Sequence, residues 1–106
     1  MDAYDLVIVG GGTAGLTAAS FARGVGADVA LIERSRLGGD CTWTGCMPSK
    51  TFLSVARVAH EARDASRLGL TIQEPEVDLG SVMAHVRDIV EATYEEETPE
   101  ALRERH

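Results

Sequence analysis

The fold is decided by residues 4–33, which read YDLVIVGGGTAGLTAASFARGVGADVALIE. The short apolar run Leu6–Val9 is bounded by glycine and predicts a strand that is buried on both faces. Apolar residues then recur at helical spacing over Leu16–Val25, and the glycines near its end predict where the helix stops. The segment Asp28–Glu33 predicts a second strand. Strand, helix and strand in this order indicate an α/β fold with a parallel, right-handed βαβ unit.

The turn between the first strand and the helix contains the motif G-x-G-x-x-G. Gly10 permits a tight turn, Gly12 lets the backbone approach a pyrophosphate, and Gly15 lets the helix pack close to the strand. The helix N-terminus offers free N–H groups to phosphates. Glu33 follows Gly15 by 18 positions, at the end of the second strand, where a carboxylate can accept both hydroxyl hydrogens of an adenosine ribose. An isolated glycine motif often serves only a turn, but this context predicts dinucleotide binding.

A second motif occupies residues 38–50, which read GGDCTWTGCMPSK. Four residues separate Cys41 from Cys46, so a disulfide between them requires an irregular loop or a distorted turn, which Gly45 helps to form. The segment leads into a helix, whose N-terminus would stabilise a thiolate. Because no second Cys or His pair completes four ligands, we predict no metal site.

The remainder of the chain predicts two long helices. The first covers Phe52–Leu68, with an apolar side formed by Val55, Val58, Ala59 and Ala62, and Gly69 closes it. Asp78 is the expected N-cap of the second helix. The apolar stripe of that helix consists of Leu79, Val82, Met83, Val86, Ile89 and Val90. Pro99 then breaks or restarts the helix.

Composition and charge narrow the class of protein. A chain of 106 residues suits one small domain, and its net charge of -7 argues against nucleic acid or an anionic membrane as a partner. No apolar stretch approaches the ~18 residues of a membrane-spanning helix. We find no export signal before the first strand, and we therefore expect a cytoplasmic protein. In a reducing compartment, two cysteines are more often catalytic or metal-binding than a structural crosslink.

The cysteine motif resembles the active-site signature of class I pyridine nucleotide–disulfide oxidoreductases, usually close to GGTCxNxGCxPSK. The resemblance extends over essentially the whole chain and is nearest to the dihydrolipoamide dehydrogenase-like and mercuric reductase-like branch. It implies a partial Rossmann-like FAD-binding domain in which the parallel βαβ unit is followed by two long helices. Asp40 replaces the usual Thr, while Trp43 and Thr44 stand where Asn and Val are common. These differences beside the cysteines leave the substrate open.

The resemblance also implies the cofactors. Gly10, Gly12 and Gly15 would hold the FAD pyrophosphate, and Glu33 would hold its adenosine ribose. NAD(P)H would serve as the second cofactor of the intact protein.

The roles of the cysteines and of one lysine follow from the same resemblance. Cys41 would be the interchange thiol that attacks the substrate. Cys46 would face the flavin as the charge-transfer thiolate, and Lys50 would lie near the flavin ring. Electrons would pass between NAD(P)H and a small or protein-bound disulfide or dithiol, or a mercuric ion, through flavin and a Cys41–Cys46 disulfide.

Residues 1–106 are expected to be the N-terminal part of an FAD/NAD(P)-binding domain. The remainder of that domain, the NAD(P) domain and the dimerisation domain are missing from the sequence. We expect the 106 residues alone to be inactive and the intact protein to be a homodimer. Two alternatives remain open at this point: a nucleotide-binding module without catalysis, and a small thiol–disulfide protein without flavin.

Overall fold

The structure is a computed structural model that describes residues 3–105. It measures 67 × 26 × 19 Å. No helix within residues 3–105 is long and apolar enough to cross a membrane. In chain order, the elements are β1 (Leu6–Val9), α1 (Thr13–Gly24), β2 (Val29–Ile32), α2 (Gly39–Trp43), α3 (Cys46–Asp64), a 3-10 turn (Ala65–Leu68), α4 (Leu79–Glu95) and α5 (Pro99–Arg105).

The two strands lie side by side and run parallel, which confirms the predicted βαβ unit and its fold class. Leu6 pairs with Val29 at one end of the register, and Val9 pairs with Ile32 at the other. β2 is one residue shorter at each end than the predicted Asp28–Glu33. The Gly10 N–H donates to the Ile32 carbonyl oxygen at 2.8 Å, so backbone pairing continues into the glycine turn.

Burial of β1 on both faces was predicted, and this prediction is wrong for the described residues. Helix α1 packs against one face, where Ile8 lies beside Gly15. The other face carries Val7, Val9 and Ile32, which are 54%, 82% and 52% exposed. The continuous apolar run predicted a strand with two covered faces, but a single helix packed on two strands covers only one.

Helix α1 begins at Thr13, three residues before the predicted start, and it ends at Gly24, close to Gly26. Gly26 has a φ of +89°, which is the left-handed region that favours glycine. The Gly26 N–H donates to the Arg23 carbonyl at 2.9 Å, and the Ala27 N–H donates to the Ala22 carbonyl at 3.0 Å. These two bonds satisfy carbonyl groups at the end of the helix, so the predicted stop is confirmed.

Helix α3 begins at Cys46, six residues before the predicted Phe52. Pro48 therefore lies within its first turn, where backbone N–H groups have no partner inside the helix and proline loses nothing. The predicted apolar side of α3 is only partly correct, because Val58 is 64% exposed whereas Thr51 and Ala65 are buried. Gly69 closes the segment with a φ of +78°, as predicted.

Helices α3 and α4 form an antiparallel hairpin, with α2 packed at the end where α3 begins and α4 finishes. Val86 and Val90 of the predicted α4 stripe are buried, but Leu79 at its start is 64% exposed. Asp78 is the N-cap, as predicted: its carboxylate accepts from the Ser81 N–H at 3.3 Å and from the Ser81 hydroxyl at 2.6 Å. These two bonds lower the pKa of Asp78.

The chain restarts a helix at Pro99, which resolves the two possibilities left by the sequence. The Thr98 hydroxyl accepts from the Ala101 N–H at 3.2 Å and caps α5. Proline at the first helical position has the fixed φ that a helix start requires.

Candidate active site

The glycine turn forms one wall of an open groove at the N-terminus of α1. Gly10 has a φ of +107°, and a Cβ at Gly15 would overlap the Gly10 carbonyl oxygen. A Cβ at Gly12 would meet only the Gly39 Cα, at 3.8 Å, so the backbone at Gly12 is open to the groove. Gly12 caps α1 without any side-chain hydrogen bond. The first N–H groups of the helix are therefore available to an anion.

Glu33 is held against the same glycine turn. Its carboxylate accepts from the Gly11 N–H at 2.7 Å and from the Ser35 N–H at 2.9 Å. The bond from Gly11 is the main cause that lowers the pKa of Glu33, and the bond from Ser35 adds to it. Glu33 is therefore a carboxylate at neutral pH, and its hydrogen bonds fix it beside the glycine turn. The sequence predicted that it binds an adenosine ribose there.

Gly11 is a further position of the candidate site that the sequence analysis did not single out. A Cβ at this residue would overlap the Leu37 side chain and lie 3.3 Å from the Glu33 carboxylate. The signal in the sequence was the third consecutive glycine at residues 10–12, since the motif G-x-G-x-x-G leaves this position free.

The two cysteines belong to two different helices. Cys41 is half-buried in α2, while Cys46 is exposed at the first residue of α3. Gly45 separates the helices, with φ -121° and ψ -107°, and a Cβ there would lie 2.8 Å from the Asp40 carbonyl oxygen. The break at Gly45 agrees with the expected irregular turn, although the sequence did not predict that Cys41 itself is helical.

The thiols interact with each other and with Lys50. A hydrogen bond to Cys41, together with the charge on that sulfur, raises the pKa of the Cys46 thiol. Lys50 follows Cys46 by one turn of α3, and its positive charge opposes this effect. The N-terminus of α3 was expected to stabilise a thiolate. At Cys46 the neighbouring sulfur outweighs that influence, because two adjacent thiols do not both ionise easily.

The glycine motif and the cysteine motif meet in space. The Gly38 N–H donates to the Gly11 carbonyl oxygen at 2.8 Å. A Cβ at Gly39 would lie 2.8 Å from the Gly12 Cα, so the two backbones touch where both residues are glycine. Asp40 and Cys41 consequently line the groove beside the glycine turn. The sequence predicted both motifs, but it did not predict this contact.

A set of side chains that the sequence analysis missed fixes the far side of α2. We call it the α2 anchor, and its five residues are Arg36, Thr42, Trp43, Tyr94 and Glu97. The Thr42 hydroxyl donates to Glu97 Oε2 at 2.8 Å. The Trp43 ring lies 4.9 Å from the Tyr94 ring, between centroids, and 3.5 Å from the Arg36 guanidinium carbon.

The residues of the α2 anchor are visible in the sequence, but nothing in the sequence indicates that they contact one another. Trp43 is the only tryptophan in the chain and stands between the cysteines. Its indole N–H donates to the Leu37 carbonyl at 2.9 Å. Glu97 belongs to a run of three glutamates, and nothing in that run indicates a specific partner. Within residues 3–105, no three His, Cys, Asp or Glu residues are grouped so as to hold a metal ion.

Comparisons with known proteins identify the family of the chain. Residues 4–101 match the family described as pyridine nucleotide-disulphide oxidoreductase. A dihydrolipoyl dehydrogenase of Zymomonas mobilis is 42% identical over 83% of this chain and 19% of its own length. A mercuric reductase of Lysinibacillus sphaericus is 40% identical over 84% of this chain and 16% of its own length. A mercuric reductase of Streptomyces lividans is 40% identical over 76% of this chain and 17% of its own length. The chain thus spans less than a fifth of these relatives, and it belongs to the pyridine nucleotide-disulphide oxidoreductase family.

Proposed function

We propose that this chain is the N-terminal part of the FAD-binding domain of an FAD-dependent oxidoreductase. The intact enzyme would transfer electrons between NAD(P)H and a disulfide or dithiol, or a mercuric ion, through a Cys41–Cys46 redox pair. One observation carries the proposal: the open glycine turn touches the start of the helix that bears Cys41, through Gly12 and Gly39. The proposed nucleotide site and one thiol of the pair, that of Cys41, thereby line one groove.

The residues of the groove fit an FAD. Gly12 has no side chain to fill the space above the turn, and the free N–H groups of α1 face it, so a pyrophosphate would be held there. Gly10 and Gly15 would support this site by giving the turn its shape. Glu33 would accept hydrogen bonds from the adenosine ribose with the lone pairs that its bonds from the protein backbone leave unused. The bound cofactor would supply reversible two-electron transfer.

The protein's own chemistry in this proposal is thiol–disulfide exchange. The Cys41 thiolate would attack one sulfur of a substrate disulfide and release the other sulfur as a thiol. Cys46 would then attack the mixed disulfide, which forms the Cys41–Cys46 bond and releases the second substrate thiol. Two electrons and two protons leave the cysteine pair and appear on the substrate. The reverse sequence would oxidise a dithiol.

Lys50 would act on the side of the pair that faces the cofactor. Its charge lies close enough to Cys46 to lower the pKa of that thiol, against the larger effect of Cys41. We propose that Lys50 places the same positive charge near the flavin ring and favours its reduced, anionic form. This assignment gives Cys41 the substrate and Cys46 the cofactor.

The proposed substrates follow from two kinds of relative. Dihydrolipoyl dehydrogenases and mercuric reductases match the chain at nearly equal identity. A dithiol would exchange with the Cys41–Cys46 disulfide, and a mercuric ion would be bound by the thiolates of the reduced pair as soft ligands. The intact enzyme is further proposed to be a cytoplasmic homodimer without a nucleic acid or membrane partner. Its remaining FAD, NAD(P) and dimerisation segments would lie outside residues 1–106.

The test uses the intact protein that contains this chain. We expect the purified protein to show a visible flavin spectrum and to oxidise NAD(P)H only when lipoamide or mercuric ion is added. Replacing either Cys41 or Cys46 by Ser should abolish turnover but retain the flavin. Absence of flavin would favour a flavin-free thiol–disulfide protein, and bound flavin without turnover on any disulfide or metal ion would favour a binding module.

A further inference from the structure

Helix α2 is too short to keep its position through its own backbone hydrogen bonds. It has five residues, whereas isolated helices shorter than about 12–15 residues are marginal in water. The place of Cys41 relative to Cys46 is therefore set by what α2 touches.

On one side, α2 is held by the glycine turn. The Gly38 N–H donates to the Gly11 carbonyl at 2.8 Å, and Gly39 lies directly on Gly12. Both contacts fall at the first residues of the helix. They fix where α2 begins, and both involve residues that precede Asp40.

On the other side, α2 is held by Thr42 and Glu97. Thr42 is 2% exposed, and its hydroxyl donates to Glu97 Oε2 at 2.8 Å. Gly38, with a φ of +106°, makes room for this carboxylate, since a Cβ there would lie 2.6 Å from the same oxygen. Hydrogen bonds to a carboxylate are shorter and stronger than those between neutral groups, and burial at Thr42 strengthens this bond further.

We propose that Glu97 is a positioning residue that acts through Thr42 to hold Cys41 within bonding reach of Cys46. This inference rests on the proposed redox role of the two cysteines. A disulfide requires Cα atoms about 4.4–6.8 Å apart and a narrow range of dihedral angles. A directional hydrogen bond at Thr42, the residue next to Cys41, restricts the rotation and translation of α2 that would separate the sulfurs. Loss of this bond lowers the effective concentration of one thiol at the other.

The experiment measures the equilibrium between the cysteine pair and dithiothreitol in the intact protein. Oxidised dithiothreitol gains two electrons and two protons while Cys41 and Cys46 lose them and form one S–S bond. Alkylation and mass spectrometry then count the free thiols. Glu97→Ala removes the acceptor and Thr42→Val removes the donor without changing the shape of the side chain. Glu97→Gln and Thr42→Ser keep an acceptor and a donor, and Glu95→Ala is the control from the same acidic run.

We expect Glu97→Ala and Thr42→Val to reduce the equilibrium constant for disulfide formation about three- to tenfold. This range corresponds to a rise of about 15–30 mV in reduction potential. The conservative variants and the control should stay within about twofold of the wild type, and the double variant should equal the single ones. A folded Thr42→Val protein with a wild-type equilibrium constant would overturn the proposal, and so would additive single effects. If Glu97→Ala does not fold, Thr42→Val and Thr42→Ser decide the question.

A second readout separates this inference from the proposed function. In the fully reduced protein, the alkylation rate of half-buried Cys41 should rise several-fold in Glu97→Ala and Thr42→Val, whereas the rate at exposed Cys46 should change less. If the wild type forms no Cys41–Cys46 disulfide, the proposed function fails, and the alkylation rates alone decide the inference. Unchanged rates at Cys41 in the folded variants would overturn it.

Discussion

The two supports of α2 differ in kind. On the side of the glycine turn, backbone touches backbone, and the contact requires only that Gly12 and Gly39 lack side chains. On the side of α4, the contact depends on particular side chains, of which Thr42 and Glu97 are hydrogen-bonded across 55 positions of sequence. A backbone contact is encoded by glycine at fixed spacing and is easily recognised in a sequence. A side-chain contact between distant elements has no such local signature.

The largest effect should come from the packing of α1 on β1. Gly15→Ala places a Cβ on the Gly10 carbonyl oxygen, and backbone on both sides leaves no flexible group to move. We expect a loss of about 3 kcal/mol or more in the free energy of unfolding. Gly24→Ala is the matched control in the same helix, because a Cβ there meets nothing within 4 Å. Urea unfolding of the intact protein measures both, and equal stability of the two variants would contradict the prediction.

The next effect should come from the contact between the two motifs. Gly39→Ala brings a Cβ within 2.8 Å of the Gly12 Cα and also strains a backbone with φ +61°. Gly69→Ala carries a similar strain, with φ +78°, but its Cβ meets open space. We expect Gly39→Ala to cost about 1–3 kcal/mol more than Gly69→Ala, since only the former overpacks a contact. Thermal unfolding of both variants checks the difference, and equal melting temperatures would mean that the Gly12–Gly39 contact is loose.

A smaller effect is expected from the ribose site. Glu33→Ala should weaken FAD binding to the intact protein about tenfold or more, because a hydrogen bond to a charged acceptor is lost and the Gly11 N–H loses its partner. Titration of the apoprotein with FAD gives the affinity. Glu76→Ala, an exposed glutamate in the link before α4, serves as the control. Equal affinity in the wild type and the Glu33 variant would reduce Glu33 to a solvated strand end.

Glu33 should also make the stability of the glycine turn depend on pH. Its pKa is lowered in the folded state, so its contribution to stability is complete above the usual carboxyl pKa and disappears as the pH falls through the lowered value. The stability difference between wild type and Glu33→Gln should therefore be constant near neutrality and shrink toward acid. Denaturant unfolding at several pH values tests this, and a difference that grows as the pH falls would contradict the sign.

The smallest effect concerns the cysteines. Cys41→Ser should lower the pKa of the Cys46 thiol, because the neighbouring sulfur that raises it is removed. Lys50→Met should raise that pKa further, because the opposing positive charge is lost. The pH dependence of alkylation at Cys46 measures both shifts. Arg57→Met, an exposed cation farther along α3, is the control for a general charge effect. An unchanged pKa of Cys46 in Cys41→Ser would mean that the sulfurs do not interact.

Sequence reasoning predicted the parts of the fold that depend on local rules. The parallel strands, the end of α1 near Gly26 and the cap at Asp78 all follow from hydrophobic period, backbone freedom and hydrogen-bonding side chains. Sequence reasoning failed to predict burial, because the burial of a side chain depends on which other elements pack against it. Val9 and Val58 belong to patterns typical of core residues, yet they are 82% and 64% exposed.

The same distinction applies to the candidate site: its motif residues were predicted from the sequence, and its side-chain contacts between distant elements were not. The glycines, Glu33, the two cysteines and Lys50 were all selected from motifs. The structure places Gly10, Gly12, Gly15 and Cys41 along one groove and holds Glu33 against the same glycine turn. The α2 anchor was not predicted, because a threonine, a tryptophan and a glutamate have many possible partners and the sequence does not pair them. Helix α2 itself was missed for a related reason: five residues are too few for a hydrophobic period to be visible.

The bond between Thr42 and Glu97 also has a consequence for the order of events during synthesis. Cys41 and Cys46 leave the ribosome about 55 residues before the partner of Thr42 does. At about 5–20 residues per second, that interval lasts about 3–11 s. Throughout this time Thr42 has no Glu97 to bond to, so α2 can rely only on contacts with residues already synthesised. A ribosome paused before codon 97 would lengthen this interval.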